Sequence, residues 1–231
     1  MRILLVAATI LEIRPFLAKL IPLGEATGQV SHYQLKNTFI DVLIPGIGMM
    51  QTAYHLGKQT AGTQYDLAIN AGIGGSCMDH LAIGDVVHVT EECIPEMGVE
   101  DGSAFLSLFD IGLMDPDNPP YDKGRLINES PLKSDRLARM RTVKGATANT
   151  IHGNIGSIQK IISMYHPETE SMEGAAFLYS CLSDHIPCAQ IRSISNYVAE
   201  RDKTRWNLEL AFKNLNKALW EIINELVTGD W

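Results

Sequence analysis

Met1-Arg2-Ile3-Leu4-Leu5-Val6-Ala7-Ala8-Thr9-Ile10-Leu11-Glu12-Ile13-Arg14-Pro15-Phe16-Leu17-Ala18-Lys19-Leu20 opens the chain. Its first part holds the unbroken apolar run Ile3-Leu4-Leu5-Val6, the pattern of a strand covered on both faces. Then Ile13, Phe16, Leu17 and Leu20 fall at i, i+3, i+4 and i+7, the period of an amphipathic helix. A doubly covered strand feeding a helix is the unit of an α/β fold. The unit recurs outward from this stretch. Strands are predicted over 39–44, 66–71, 85–90, 141–148 and 188–195, and helices over 49–61, 173–184 and 206–227. The last helix sets Leu208, Ala211, Phe212, Leu215, Leu219, Ile222 and Leu226 on one face. This alternation predicts one domain over 1–231, a three-layer α/β/α sandwich around a central mixed, largely parallel sheet. Residues 94–131 break the rhythm, with Pro95, Pro116, Pro119 and Pro120 set among aspartates and the apolar Phe105, Leu106, Leu108 and Phe109. So long an irregular stretch reads either as an active-site excursion or as a solvated one.

Apolar residues make up 45% of the chain and charged ones 20%, a balance that fills a core rather than a disordered tail. Nineteen basic against twenty-seven acidic side chains leave a net charge of −8. Such a surface repels phosphate backbones and anionic bilayers, so neither nucleic acid nor membrane is an expected partner. No apolar run approaches the roughly 20 residues that span a bilayer. The apolar run 3–11 meets Glu12 and Arg14 at once, without a cleavage pattern, so a soluble cytoplasmic protein is expected. Cys77, Cys93, Cys181 and Cys188 form no C-x-x-C pair and read as buried, reduced thiols. The seven histidines lack ligand spacing and read as surface or loop residues. No metal site and no organic cofactor are expected.

Glycine-rich turns are read after three strands: Pro45-Gly46-Ile47-Gly48, Ala71-Gly72-Ile73-Gly74-Gly75 and Lys144-Gly145. Such turns permit φ > 0 and close approach to a ligand, and they serve equally in tight strand–helix packing. Glu12 follows the first strand. Glu173 opens a helix among small residues in Ser171-Met172-Glu173-Gly174-Ala175-Ala176, where the helix N-terminus favours an anion whether or not a ligand is present. Arg192 stands inside the apolar strand Ile191-Arg192-Ser193-Ile194-Ser195-Asn196, and a buried arginine needs a partner. Asn196 suits a plain turn as well as a site.

In this order the motifs resemble the nucleoside phosphorylase superfamily, in its nucleosidase branch, over nearly the whole length. The Met-Glu-Gly-Ala element followed by Arg-x-Ile-Ser is the specific part. The resemblance implies that Glu12, helped by Arg192, activates water. It implies that Met172 and Glu173 hold the ribose, and that Thr150 and Ile151 border the base. Gly46, Ile47, Gly72, Ile73, Gly74 and Ser195 complete the implied substrate site. The substrate would be a small purine nucleoside, and relatives imply a homodimer or larger homo-oligomer.

Two departures bear on the substrate. Adenosine-specific members carry an aspartate where this chain has Asn196, and a serine-alanine turn where it has Gly72-Ile73. An amide offers NH₂ and C=O in fixed places, which match O6 and a protonated N7 of a 6-oxopurine. Facing a 6-amino group it would set donor against donor, a mismatch of about 1–3 kcal/mol. Phosphate-binding members carry cations in the first turn and before the second glycine cluster. Here those places read Ala8-Thr9-Ile10-Leu11-Glu12 and Leu67-Ala68-Ile69-Asn70-Ala71. Hydrolysis of a 6-oxopurine nucleoside is the expectation, with Phe105, Phe109, Tyr121, Lys123 and Arg125 as candidates to hold a carboxylated aromatic tail. Alternatives are a methylthioadenosine/adenosylhomocysteine-type nucleosidase, a phosphorylase and a non-catalytic nucleoside binder.

Overall fold

The computed structural model describes residues 1–102, 104–129, 132, 134–200 and 202–229. Pro131, at the end of the expected excursion, lies outside the described residues. The chain opens on β1 (Arg2–Val6), α1 (Ile10–Leu17), β2 (Ile21–Pro22), β3 (Val30–Leu35), β4 (Thr38–Leu43) and α2 (Met49–Gly62). Then come β5 (Leu67–Ser76), β6 (Val86–Cys93), the hairpin β7 (Gly98–Asp101) and β8 (Ala104–Ser107), β9 (Tyr121–Asp122) and β10 (Arg125–Ile127). The second half holds α3 (Asp135–Ala138), β11 (Thr142–Thr147), α4 (Ile155–Tyr165), β12 (Thr169–Ser171), α5 (Gly174–Ser183), β13 (Cys188–Tyr197) and α6 (Leu208–Thr228).

β1 lies between β4 and β5, parallel to both. Its side chains alternate between two cores. Ile3 and Leu5 join Phe16, Leu215, Leu219 and Ile222 beneath α1 and α6, whereas Leu4 and Val6 join Leu56, Phe177 and Leu178 beneath α2 and α5. Burial on both faces is why β1 is apolar throughout, and the two cores make the three layers.

The sheet is mixed, and part of it closes on itself. β5 pairs with β12 on one side and β13 on the other. β13 pairs with β6, β6 with β11 and β11 with β12, which completes the ring. Closure of this kind leaves no free edge where the ring is formed.

The glycine readings divide. Gly46 and Gly48 sit at φ +101° and +103° in a true turn after β4. Gly72, Ile73, Gly74 and Gly75, read as a turn from sequence, continue β5, and Gly145 lies inside β11. Side-chain crowding explains it. A Cβ on Gly72 would stand 3.0 Å from Glu12 Oε1 and 3.1 Å from Arg192 Nη1, and one on Gly75 would meet Val198 at 2.7 Å. These glycines make room over a strand rather than bend it.

Other expectations change in detail. Leu208, assigned to the buried face of α6, is exposed. His88, read as a surface residue, is buried on β6, because that strand is sandwiched between β11 and β13. All four cysteines are free thiols, three of them buried and Cys77 partly so. The excursion supplies a hairpin and two short strands, and Phe109 meets Tyr121 edge-on while Tyr121 leans at a tilt on Tyr179 of α5. Among the described residues no helix is long and apolar enough to cross a membrane.

Candidate active site

At the carboxyl ends of β1, β5 and β13 lies a cavity of about 230 Å³. Ligands of open α/β sheets bind at that end of the strands. Glu12 enters from the first turn of α1. Thr9 caps the helix, and its N–H (2.9 Å) and hydroxyl (3.2 Å) donate to Glu12 Oε2. This reach of the third helical residue back to the N-cap is the capping-box arrangement, so local helix chemistry already aims this carboxyl back over the helix start. Glu12 Oε1 accepts the Ile73 N–H at 3.1 Å. Both oxygens are therefore fixed, and the side chain is 7% exposed, at the cavity wall.

Glu173 is the N-cap residue of α5, delivered by the short strand β12. Its Oε1 accepts the Gly48 N–H at 3.0 Å. Burial is the largest influence on this carboxyl and pushes its pKa up, with Arg192 pulling the other way. The turn formed by Gly46 and Gly48 thus carries a backbone donor to Glu173.

Arg192 stands behind the wall, 1% exposed. Its Nη2 donates to Asn70 Oδ1 and its Nη1 to the Ile191 carbonyl, while Nε has no partner. It supplies positive potential beneath Glu173 and Glu92 without lining the cavity. Glu92, on β6, is a carboxyl that sequence reading missed. It accepts from Gln190 Nε2 (2.6 Å) and Thr147 Oγ1 (2.9 Å), and Thr147 Oγ1 in turn accepts the Ala175 N–H that opens α5. Burial pushes its pKa up to about 7.

The far wall is β13. Its pairing with β5 slips between Ile194 and Asn196, and this bulge turns both Ser195 and Asn196 to the cavity. Ser195 Oγ donates to Asn196 Oδ1 at 2.7 Å, and Asn196 Nδ2 donates to the Tyr197 carbonyl at 3.1 Å. Each end of the amide keeps one unused hydrogen-bonding position.

Of the residues expected from sequence, Glu12, Ile47, Ile73, Gly74, Ile151, Met172, Glu173, Ser195 and Asn196 line one cavity. Gly46, Gly72, Thr150 and Arg192 do not; they stand behind it or beside it. Thr9, His152, Glu170 and Phe212, which sequence reading did not assign to the site, also line it, as do Gly75 of the glycine-rich stretch and Trp206. Thr9 was legible as half of a capping box. His152 and Glu170 carried no local signal, because they meet only through the fold. The tail candidates lie elsewhere. Arg125 donates to the Tyr165 carbonyl and pairs with Glu91, and Phe105, Phe109, Tyr121 and Lys123 are absent from the cavity wall. No lysine or arginine lines the cavity among the described residues.

Three glutamates and an amide thus line one cavity at the carboxyl ends of the strands. The model of the phosphorylase superfamily matches residues 2–226, so the chain belongs to that superfamily. Within it, the chain is 28% identical to a futalosine hydrolase of Thermus thermophilus, over 96% of this chain and 95% of that protein. It is 26% identical to the futalosine hydrolase of Streptomyces coelicolor, over 79% of this chain and 77% of the other. Its fold is similar to that of a futalosine hydrolase from Helicobacter pylori, with a TM-score of 0.80, 18% identity, and 97% and 98% of the two chains covered. A methylthioadenosine/S-adenosylhomocysteine nucleosidase from the same organism gives the same TM-score, identity and coverage.

Proposed function

We propose that this protein hydrolyses the N-glycosidic bond of a 6-oxopurine nucleoside, and that the substrate is futalosine, released as hypoxanthine and dehypoxanthine futalosine. The observation that carries the reading is Asn196 in the cavity wall with one free N–H and one free lone pair, where an adenine-specific relative has a carboxyl. The free N–H suits O6 and the free lone pair suits a protonated N7. The futalosine hydrolases among the relatives support the choice of nucleoside.

Water, rather than phosphate, is the acceptor. The cavity wall offers carboxyls and no lysine or arginine among the described residues, so a phosphate dianion would be repelled. In the reaction the bond from C1′ to N9 breaks while the departing base draws the electron pair. Asn196 stabilises that base as N7 takes a proton from solvent, balanced when Glu12 later gives up to solvent the proton it receives from the attacking water. Glu173 accepts from the ribose hydroxyls. Glu12, its carboxyl fixed by Thr9 and Ile73, takes the proton of the water that bonds to C1′.

The test is incubation with futalosine, inosine and methylthioadenosine in phosphate-free buffer, with the free base read by chromatography. Hypoxanthine release from futalosine without phosphate is expected. Adenine as the preferred product, or turnover that requires phosphate, would overturn the reading.

A further inference from the structure

Glu170 on β12 and Asn196 on β13 share one neighbour. Both are registered against Gly75 of β5, Glu170 across an antiparallel ladder and Asn196 across a parallel one. Residues in register across a ladder project to the same face. The row Glu170, Gly75, Asn196 therefore stands two side chains up on either side of a glycine, across two strand spacings, about 10 Å at the backbone. All three residues line the cavity. The missing side chain at Gly75 makes room for its neighbours, since a Cβ there would lie 2.7 Å from Val198 Cγ2 and 3.3 Å from Asn196 Nδ2, and the open space is the cavity that Glu170 and Asn196 both line.

Glu170 is not loose in the cavity wall. The Nδ1 of His152 lies 2.5 Å from Glu170 Oε2, and the His152 N–H donates to Oε1 at 3.3 Å. Both side chains are about one-tenth exposed, and both face the cavity. Hydrogen bonding to Glu170 is the largest influence on the imidazole and raises its pKa. A buried carboxyl fixed by one histidine, with lone pairs left over at the edge of a cavity, is an acceptor awaiting a donor.

We propose that Glu170, held in place by His152, determines base specificity by accepting the N1–H of a 6-oxopurine bound in the cavity between Glu170 and Asn196. The inference rests on the proposed function and deepens it. In a 6-oxopurine, N1–H is the next group around the ring from O6, so a base whose O6 and N7 meet Asn196 turns N1 toward the β12 side of the cavity. Adenine carries a lone pair at N1 instead, which a carboxylate repels. Two strands then read two adjoining edges of the base, and both reject the 6-amino form.

The experiment measures binding of hypoxanthine, 1-methylhypoxanthine and adenine by calorimetry to the wild type, Glu170→Gln and Glu170→Ala. The wild type is expected to bind hypoxanthine about 10- to 100-fold tighter than its 1-methyl derivative, the worth of a buried polar match. Glu170→Ala should bring the two within about twofold. The near-isosteric Glu170→Gln should weaken hypoxanthine and leave adenine equal or tighter, because its amide can donate to N1. Melting curves of both variants identify any loss of folding, and either variant alone suffices for the comparison. An unchanged hypoxanthine to 1-methylhypoxanthine ratio in a folded variant overturns the role of Glu170 while leaving the substrate class standing. A wild type that prefers adenine overturns the substrate class itself.

Discussion

The side-chain amide of Asn216, on α6, bridges Glu12 and Phe16 of α1: its Nδ2 donates to the Glu12 carbonyl at 2.7 Å and its Oδ1 accepts the Phe16 N–H at 2.8 Å. These are the two groups that pair with each other along a regular helix. Between them sits Pro15, which has no N–H and crowds the preceding turn. A residue two hundred positions away thus braces the short helix that carries Glu12.

Replacing Asn216 should therefore loosen Glu12 as well as the fold. Asn216→Leu removes both contacts and should cost about 2 kcal/mol or more, or roughly 4–8 °C in melting temperature. The same variant should lower kcat at temperatures where it is still folded. Asn216→Asp keeps the acceptor for Phe16 and should fall between. A variant that melts early yet turns over normally would show that the brace does not reach the carboxyl.

Glu12→Gln keeps the size of the side chain and loses its basicity. The contacts to Thr9 and the Ile73 N–H hold the carboxyl in one orientation. A fall in kcat of roughly 10²- to 10⁴-fold is expected, the usual worth of a general base. Near-normal turnover would remove Glu12 from that role.

The same region shows what a sequence can and cannot reveal. The run Ile3-Leu4-Leu5-Val6 and the spacing of Ile13, Phe16 and Leu17 identify β1 and α1, because each follows from its own residues and a period. Glu12, Glu173 and Asn196 are legible because each sits where an element begins or ends. The ring of strands is not legible, since it depends on β12 (only three residues long) pairing with two partners far apart in the chain. Gly72 and Gly74 read as a turn because a glycine that bends the backbone and a glycine that yields space look alike in sequence. Only the positions of Glu12, Thr169 and Arg192 beside them settle which it is.

Gly72→Ala tests that distinction. The added Cβ would press on both Glu12 Oε1 and Arg192 Nη1. The backbone itself is ordinary extended strand, so secondary structure should survive. Turnover should drop at least about tenfold from displacement of Glu12, in keeping with the sensitivity of catalysis to small misplacements. Full activity would mean the carboxyl has room to shift without consequence.

Asn196→Asp should move preference toward 6-amino nucleosides. A carboxyl that is protonated can donate to N7 and accept from the amino group, whereas the amide cannot satisfy both. The ratio of kcat/KM for methylthioadenosine to that for inosine should rise at least about tenfold. If Glu170 also reads the base, the reversal stays incomplete until Glu170→Gln is added. An unchanged ratio in the single variant would count against Asn196 as a reader of the base.

Two buried groups give stability opposing dependences on pH. Burial pushes Glu92 up to about 7 from 4.5, despite hydrogen bonds from Gln190 and Thr147 and the nearby charge of Arg192; Glu173 adds to the rise. A carboxyl so raised holds its proton longer in the folded state, so its contribution to stability falls as pH climbs from about 4.5 to 7. Glu173, also raised, acts in the same sense. Burial drives His88 down to about 4 from 6.5, so the unfolded chain binds the extra proton and stability falls as pH drops through that window. The two slopes offset each other between about pH 4.5 and 6.5. Glu92→Gln should unmask the histidine, giving a melting temperature that rises more steeply with pH than in the wild type. His88→Gln should do the reverse. Melting curves at half-unit pH steps decide the matter, and parallel curves for all three proteins would mean that neither group titrates in place.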